Sequence, residues 1–488
     1  MKKSLMLTMF LGVIPISAAF AAPGDTLWTR TYGGSNWDGA YSVQQTNDGG
    51  YIIAGETASF GAGDWDFYLV KTDGTGDTLW TRTYGGSNAD VALSVRQTVD
   101  GGYIIAGYTE SLGAGGKDFF LVKTDAVGDT LWTRTYGGSD WDVAYSVQQT
   151  IDGGYIMAGG TWSFGNGYDD FYLVKTSSSG DTLWTRTYGD SSYDEAHAVQ
   201  QTTDGGYVVA GLTKSFGAGS VDFYLLKTDS SGDTMWTRVY GGSDWDGANC
   251  TQQTADGGYI VAGHTFSFGA GDQDCYVMKT DPSGDTLWTK TYGGIFDDGA
   301  ASVQQTTDGG YIVAGWTWSF GAGEEDFYLV KTDAVGDTLW TRTYGGSDWD
   351  VAYSVQQTID GGYIMAGNTH SFGAGEADFY LVKVEGVISG IPGNNSEEDT
   401  PVKFTLNSNY PNPFNPATNI DFALPEQCGV DLSIFNLTGQ KVATLVDAKM
   451  ESGNYTITWD GSNFSSGIYF YKLTAGDFTK TKRMTLLK

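Results

Sequence analysis

One motif, Gly-Asp-Thr-(Leu/Met)-Trp, recurs along the chain with its tryptophan at Trp28, Trp80, Trp132, Trp184, Trp236, Trp288 and Trp340. Every step is 52 residues, and seven copies without one insertion or deletion mean that a single structural unit has been copied. Residues 126–159 and 334–367 are identical, the mark of a recent duplication. Any fold for this chain must therefore be built from one repeated block.

The first copy shows what the block contains. Tyr41 to Thr46 leads through Asp48-Gly49-Gly50, a tight-turn signal, into the apolar run Tyr51 to Ala54. A glycine-rich loop, Phe60 to Gly63, leads to Phe67 to Lys71, and Asp73 to Gly76 turns the chain into Leu79 to Tyr84. These four runs, a to d, are expected as two hairpins of one four-stranded sheet. The 71 glycines among 488 residues, about twice the usual ~7% share, and 14% aromatic residues fit many tight turns between buried aromatic strands. They exclude a coiled coil.

Runs b and c are almost continuously apolar, so both of their faces must be covered, and no helical periodicity exists to cover them. Other sheets must do so. Sheets of four strands packed face to face at a regular period describe a β-propeller, whose repeats run to ~40–50 residues. A parallel β-helix has shorter rungs, and a linear stack needs polar caps that are absent here. The copies begin with a lone d run, Leu27 to Tyr32, and end with a, b and c, Tyr353 to Val384. The N-terminal d strand is expected to complete the last blade and hide two sheet edges. The expected fold is all-β: a seven-bladed propeller over residues 22–385, a linker over 386–401, and a small Ig-like β-sandwich over 402–488.

The segment from Lys71 to Trp80 resembles the Asp…Gly…Trp repeat of quinoprotein-type propellers, in which the tryptophan docks on the neighbouring blade. That resemblance implies fold only. Quinone-dependent enzymes of the kind have eight blades and an adjacent cysteine pair, both missing here. The turn is also similar to the Asp-box of sialidases, with a spacing that differs.

Residues 1–21 read as a secretory signal: Lys2 and Lys3, an apolar run from Leu5 to Ile16, and Ala19-Phe20-Ala21 as a cleavage site. No later stretch is apolar for the ~20 residues a membrane-spanning helix needs. In the last 87 residues, seven short runs read as strands: 405–406, 418–424, 430–435, 441–446, 455–459, 468–473 and 483–487. Tyr410-Pro-Asn-Pro-Phe-Asn-Pro416, Leu424-Pro-Glu426, Val430-x-Leu-x-Ile-Phe-Asn436, Ser466-Gly-Ile-Tyr469 and Lys482-Arg-Met-Thr-Leu-Leu-Lys488 lie in order there. This region resembles the type A C-terminal sorting domains of the type IX secretion system of Bacteroidetes-like bacteria. The resemblance implies the type IX machinery as a partner and a destination that is either secreted or on the outer-membrane surface of a Gram-negative-type cell.

The 58 Asp and Glu against 27 Lys and Arg, a formal charge of -31, exclude nucleic acid and anionic membrane surfaces as partners, because both are bound by clustered basic residues. Cations, sugars and basic proteins remain. Cys250 and Cys275 fall on the first and third strands of one unit, beyond disulfide reach, and Cys428 lies in another domain. All three are expected as free, inert thiols.

Against a nearly constant scaffold two positions differ in every copy. The residue after the b-strand Ala-Gly is Glu56, Tyr108, Gly160, Leu212, His264, Trp316 and Asn368 in turn. Two residues later come Ala58, Glu110, Trp162, Lys214, Phe266, Trp318 and His370. Residues i and i+2 of a strand share a side, so each pair would present a distinct patch, and aromatic residues suit sugar stacking or protein anchoring. Glu56, Tyr108, Glu110, Trp162, Lys214, His264, Phe266, Trp316, Trp318 and His370 are the candidate ligand-binding residues. The alternative is half-exposed strand ends under weak constraint.

An aspartate recurs in every d-to-a loop, from Asp38 and Asp90 to Asp350, and another before every c strand, from Asp66 to Asp378. Asp accepts backbone N–H bonds in turns, which gives these a structural role. With Asp140, Asp244 or Asp348 two residues earlier, an oxygen-rich Ca²⁺ site is the other reading, without a defined loop pattern. The three histidines, His197, His264 and His370, form no HExxH, and no nucleophile elbow or phosphate loop occurs. The expected function is a non-catalytic binding or adhesion module for a glycan or protein, without a cofactor. The alternatives are a polysaccharide hydrolase or lyase on the same scaffold and a purely structural surface repeat protein.

Overall fold

The structure is a computed structural model that describes residues 22–386 and, in the C-terminal part, residues 404–486 apart from 407, 408, 410–413, 415, 463 and 477. The expected signal segment, most of the linker and most of the Tyr410–Pro416 motif lie outside the described residues. The chain divides into two compact units, Met1–Gly386 and Val387–Lys488.

In the first unit, β1 (Thr26–Tyr32) is followed by β2 (Asp38–Gln45), β3 (Tyr51–Thr57), β4 (Asp66–Thr72) and β5 (Thr78–Tyr84). Twenty further strands, β6 to β25, repeat that pattern from Asp90 to Tyr344, and β26 (Asp350–Gln357), β27 (Tyr363–Thr369) and β28 (Asp378–Val384) end the unit. They form seven antiparallel sheets of four strands. Sheet 1 has the order β2-β3-β4-β5, sheets 2 to 6 follow it, and sheet 7 has the order β1-β28-β27-β26. The N-terminal d strand thus pairs with the last c strand, Trp28 opposite Lys383 and Tyr32 opposite Phe379. Repeated four-stranded sheets of this kind are consistent with propeller blades.

Each unit of the repeat is built to stack. Strands c are buried along their whole length and strands b along all or nearly all of theirs, as in Tyr51–Thr57 and Asp66–Thr72. Their apolar side chains pool with those of the adjacent sheet: Ile52, Ala54, Phe67 and Leu69 of sheet 1 share a core with Ala92, Tyr103, Ile105 and Val122 of sheet 2. The same holds between the last sheet and the first, where Ile364, Ala366, Phe379 and Leu381 pack with Tyr51, Ile53 and Val70. Strand d alternates towards solvent and covers the outside.

The recurring motif is the joint between sheets. Trp28 meets Tyr51 of the next sheet edge-on at 5.7 Å between ring centroids, and the six equivalent pairs lie at 5.7 to 6.0 Å. Gly76, at φ 81°, lies under Trp28, and a Cβ there would come within 2.8 Å of the ring. Its carbonyl accepts the Tyr32 hydroxyl at 2.6 Å, and the following Asp77 pairs with Arg30 at 3.2 Å. At the same end of the sheet, buried Lys71 crosses to Asp48 of the a-to-b turn at 2.8 Å, a pair repeated in all seven sheets. The Asp48 carboxylate, which also accepts bonds from Thr46 and Gly50, lies at about 2, since these donors outweigh its partial burial.

A chain of bonds from backbone N–H to glutamine side chains runs through all seven sheets on the same side. Asn47 N–H donates to Gln97 Oε1 of the next sheet at 2.9 Å, and each sheet repeats this until Ile359 N–H of sheet 7 donates to Gln45 of sheet 1, again at 2.9 Å. The first strands of all seven sheets line one common cavity.

In the second unit, β29 (Thr405–Leu406), β30 (Ala417–Leu424) and β33 (Gly453–Asp460) form one sheet. Strands β31 (Cys428–Asn436), β32 (Lys441–Met450), β34 (Gly467–Ala475) and β35 (Phe478–Leu486) form the other, in the order β32-β31-β34-β35. Both contribute to one core that includes Leu406, Ile420, Leu432, Trp459, Tyr471 and Leu486. Cys250, Cys275 and Cys428 are free thiols. No helix among the described residues is long and apolar enough to cross a membrane.

Candidate functional site

The ten candidate binding residues all lie where strand b runs into the b-to-c loop, so all sit at the end of the sheets that carries the d-to-a loops. The aspartates at that end are spent on the loops themselves. Asp38 accepts the Gly34 N–H at 2.7 Å through Oδ2 and the Thr57 hydroxyl through Oδ1. Asp66 accepts the Ala62 N–H at 2.7 Å. Asp142 is engaged by Gly138 N–H, Ser163 and Thr161. The recurring aspartates therefore hold loops in place in every sheet. Among the described residues no group of three His, Cys, Asp or Glu is placed to hold a metal ion.

The two variable positions have different surroundings. The second member faces outward in five sheets: Trp162 is 46% exposed, Trp318 47%, and Phe266, Lys214 and Glu110 are exposed too, while Ala58 and His370 are half-buried. The first member turns inward. Glu56 is buried, Tyr108, His264 and Trp316 are half-buried, and a Cβ on Gly299, opposite Trp316, would lie 2.2 Å from the indole.

Aromatic rings of the d-to-a loops complete the outer tier. Trp141, 52% exposed, lies 5.5 Å from Trp162, and Trp318 lies 6.5 Å from Phe296. His370 is held edge-on by Trp37 at 5.1 Å, a contact between the last sheet and the first. Lys117 sits 4.0 Å from the Tyr108 ring and 3.8 Å from the Glu110 carboxylate, and Lys214 lies over Tyr193 and Trp245.

The inner tier contains groups that a comparison of the b strands alone does not find. Strand a carries a β-bulge in every sheet. Ala40 pairs with Gly55 and Ser42 with Ala54, which leaves Tyr41 without an opposite residue. The bulged residues are Tyr41, Leu93, Tyr145, His197, Asn249, Ala301 and Tyr353, tyrosine in three sheets and a different residue in each of the other four. Tyr41 donates to Glu56 Oε1 at 2.9 Å, the Trp37 indole donates to the same oxygen at 3.0 Å, and Tyr41 meets Tyr353 at 5.1 Å. Burial pushes the Glu56 carboxyl up to about 7 despite these two donors.

Sheets 3 and 4 hold a second group. Glu195 accepts the Tyr193 hydroxyl at 2.6 Å and lies 3.2 Å from His197 Nε2, while His197 Nδ1 is 3.0 Å from the Ala248 carbonyl and its ring meets Tyr145. Burial opposes charge on both partners, but the mutual hydrogen bond and opposite charges prevail: Glu195 lies below the ordinary carboxyl range and His197 above the ordinary imidazole value. Asp169, 4% exposed and with no hydrogen bond to Oδ1, precedes the c strand of sheet 3. Its carboxyl is pushed up to about 8 by burial and by the Glu195 charge. It occupies the space above Gly160, where a Cβ would lie 2.5 Å from Oδ1. His264 stands apart, drawn down to about 4 by burial and therefore neutral. Aligning the copies at the bulge and at the residue before each c-strand aspartate (Trp65, Lys117, Asp169, Val221, Gln273, Glu325, Ala377) carries the signal that finds this tier.

Residues 408–486 match the family of secretion system C-terminal sorting domains. This end of the chain marks it for export by the type IX system, to the cell surface or beyond it. The regulatory protein FlaEY of Caulobacter vibrioides is 25% identical over 322 residues, 63% of this chain and 30% of that protein. The chain thus spans about a third of the length of that relative. Among solved structures, PorZ, a surface component of the type IX secretion system of Porphyromonas gingivalis, aligns with 97% of this chain and 61% of its own at a TM-score of 0.42 and 12% identity. A fungal alcohol oxidase of the AA5 family, in complex with copper, aligns with 96% of this chain and 100% of its own at 0.47 and 12%.

Proposed function

We propose that residues 22–385 form a seven-bladed β-propeller closed by its N-terminal strand, joined through residues 386–401 to the sorting domain at 402–488, and exported with the help of a signal at 1–21. The bonds from Ile359 to Gln45 and from Tyr344 to Gly24, each equivalent to the joints inside the repeat, support closure. The propeller is a non-catalytic binding module, and its ligand is a glycan that sits on the face bearing the d-to-a and b-to-c loops.

The observation that carries this reading is the division of that face into two tiers. Exposed indoles of Trp141, Trp162 and Trp318 surround an inner tier of tyrosine hydroxyls and carboxylates around Glu56 and Glu195. Stacking surfaces beside convergent polar groups match the alternating apolar faces and hydroxyl edges of sugar rings. A glycan-array screen of the full chain, following retained binding and released sugar in parallel, tests it. Retained glycan without turnover supports the module. Silence in both channels would overturn it in favour of a protein ligand or a structural coat.

A second reading, a glycoside-cleaving enzyme, is favoured by one observation. Asp169 and Glu195 are neighbouring carboxyls whose surroundings push their proton affinities apart, one kept protonated and one ionised, the division of labour that acid and base require. Released sugar that disappears in both Asp169→Asn and Glu195→Gln would establish it.

A further inference from the structure

Six of the seven sheets share a device on their first strands, close to the a-to-b turns. A glutamine side chain accepts the backbone N–H of a residue in the neighbouring sheet, as Gln44 does from Gln97 at 2.7 Å and Gln148 from Gln201 at 2.7 Å. In sheet 2 the glutamine is replaced by Arg96. A guanidinium has five donors and no acceptor, so Arg96 cannot serve the matching N–H, that of Gln149, as the glutamines serve theirs. Among the described residues Gln149 N–H has no acceptor.

Arg96 is itself short of partners. Its Nη1 donates to the Val95 carbonyl at 2.7 Å and to Ser42 Oγ at 3.3 Å, and no carboxylate lies within ion-pair distance of it among the described residues. Every other arginine of residues 22–386 pairs with an aspartate across a sheet joint. Arg96 lines the common cavity of about 240 Å³, and it is the one charged residue among those lining it, the others being valine, glutamine, serine, Thr251 and Cys250. Burial holds the Cys250 thiol protonated, so it supplies no counter-charge. Arg96 is half-buried, a cation partly withdrawn from water without a counter-ion is costly, and in a chain with 31 more acidic than basic residues an aspartate or glutamate partner would have been easy to place.

We propose that the cavity binds a small carboxylate at Arg96, held by the free edge of the guanidinium. The fork of an arginine matches two carboxylate oxygens, so a carboxylate supplies the counter-charge that the protein does not. The cavity has room for far more than the single water that a minimal polar void accommodates. The site lies at the opposite end of the first strands from Glu56 and Glu195, so it neither depends on the glycan reading nor tests it.

Thermal unfolding of the full chain in sodium acetate, against sodium chloride at matched ionic strength, tests the proposal. Acetate is expected to raise the unfolding temperature in a saturable way, which chloride does not reproduce. Arg96→Gln installs the residue that the other six sheets carry, restores an acceptor for Gln149, and is expected to unfold no lower than the parent without acetate and to show no acetate response. Arg96→Lys keeps the charge and loses the fork, and its half-saturating acetate concentration should rise at least tenfold. No saturable acetate effect in the parent, or an equal effect in Arg96→Gln, would overturn the proposal.

Discussion

The Tyr344 hydroxyl donates to the Gly24 carbonyl at 2.6 Å across 320 residues of sequence, and Tyr292 makes the equivalent bond to Gly336, 44 residues away, at 2.7 Å. Local geometry does not distinguish the joint that links the two ends of the repeat from a joint inside it. Tyr344→Phe and Tyr292→Phe should therefore destabilise by the same amount, about 1 kcal/mol. Deleting residues 22–33 removes β1, leaves β28 as an open edge and strips Trp28 from Tyr51, and should cost on the order of 5 kcal/mol or more, with aggregation. Chemical denaturation reads both. A Tyr344→Phe variant as stable as the parent, beside a weakened Tyr292→Phe, would show that the terminal joint does not form in solution.

Asp169 makes stability depend on pH. Its folded carboxyl is pushed up to about 8 from an unfolded value near ~3.9, so the folded state holds the proton more tightly. Its contribution is neutral below pH ~4, and stability falls as pH rises from there towards 8, since the unfolded chain is free to ionise. Asp169→Asn should remove this slope and gain on the order of 2–4 kcal/mol at pH 8 with little change at pH 4. Unfolding midpoints of parent and variant across pH 4 to 9 decide it, and parallel curves would refute the assignment.

Gly299 leaves the space that the Trp316 indole fills. In sheets 2, 3 and 7 the residue at the Gly299 position is valine, opposite Tyr108, Gly160 and Asn368. Gly299→Val should displace the indole and cost ~1–3 kcal/mol. Adding Trp316→Gly recreates the Val143–Gly160 pairing of sheet 3, and most of that loss should return, which gives a double-mutant cycle with a coupling above ~1 kcal/mol. Additive effects would mean that the two side chains do not touch.

The outer indoles should separate binding from stability. Trp141→Ala, Trp162→Ala and Trp318→Ala remove exposed rings, so each should lower glycan affinity at least tenfold and leave the unfolding temperature almost unchanged. Trp80→Ala, which empties the joint with Tyr103, should do the reverse, costing ~3 kcal/mol without altering affinity per folded molecule. Calorimetric titration and thermal unfolding on the same samples give both readings.

Much of this was legible in the sequence. The 52-residue period gave seven four-stranded units, the apolar b and c runs had to be covered by neighbouring sheets, and the leftover d strand at residues 26–32 had its partner in the last unit. Each of these depends on periodicity, which is a property of the chain alone. The Gly-Asp-Thr-(Leu/Met)-Trp motif also announced itself, although only the packed sheets show why its glycine, aspartate and tryptophan recur: Gly76 and Asp77 meet the sheet before and Trp80 the sheet after.

The inner tier of the site was decided by tertiary structure. Alternation along strand a fails at Tyr41 and its six equivalents, because the bulge adds a residue and re-aims its side chain, and a period-two reading has no place for it. Asp169 and Glu195 are 26 residues apart on different sheets, and nothing in either segment marks them as neighbours. Packing of sheet 3 against sheet 4 brought them together and took both from water. Burial and proximity to another charge, not residue identity, set the proton affinity of a carboxyl, so the sequence determined which groups the face carries and the fold decided what each of them does.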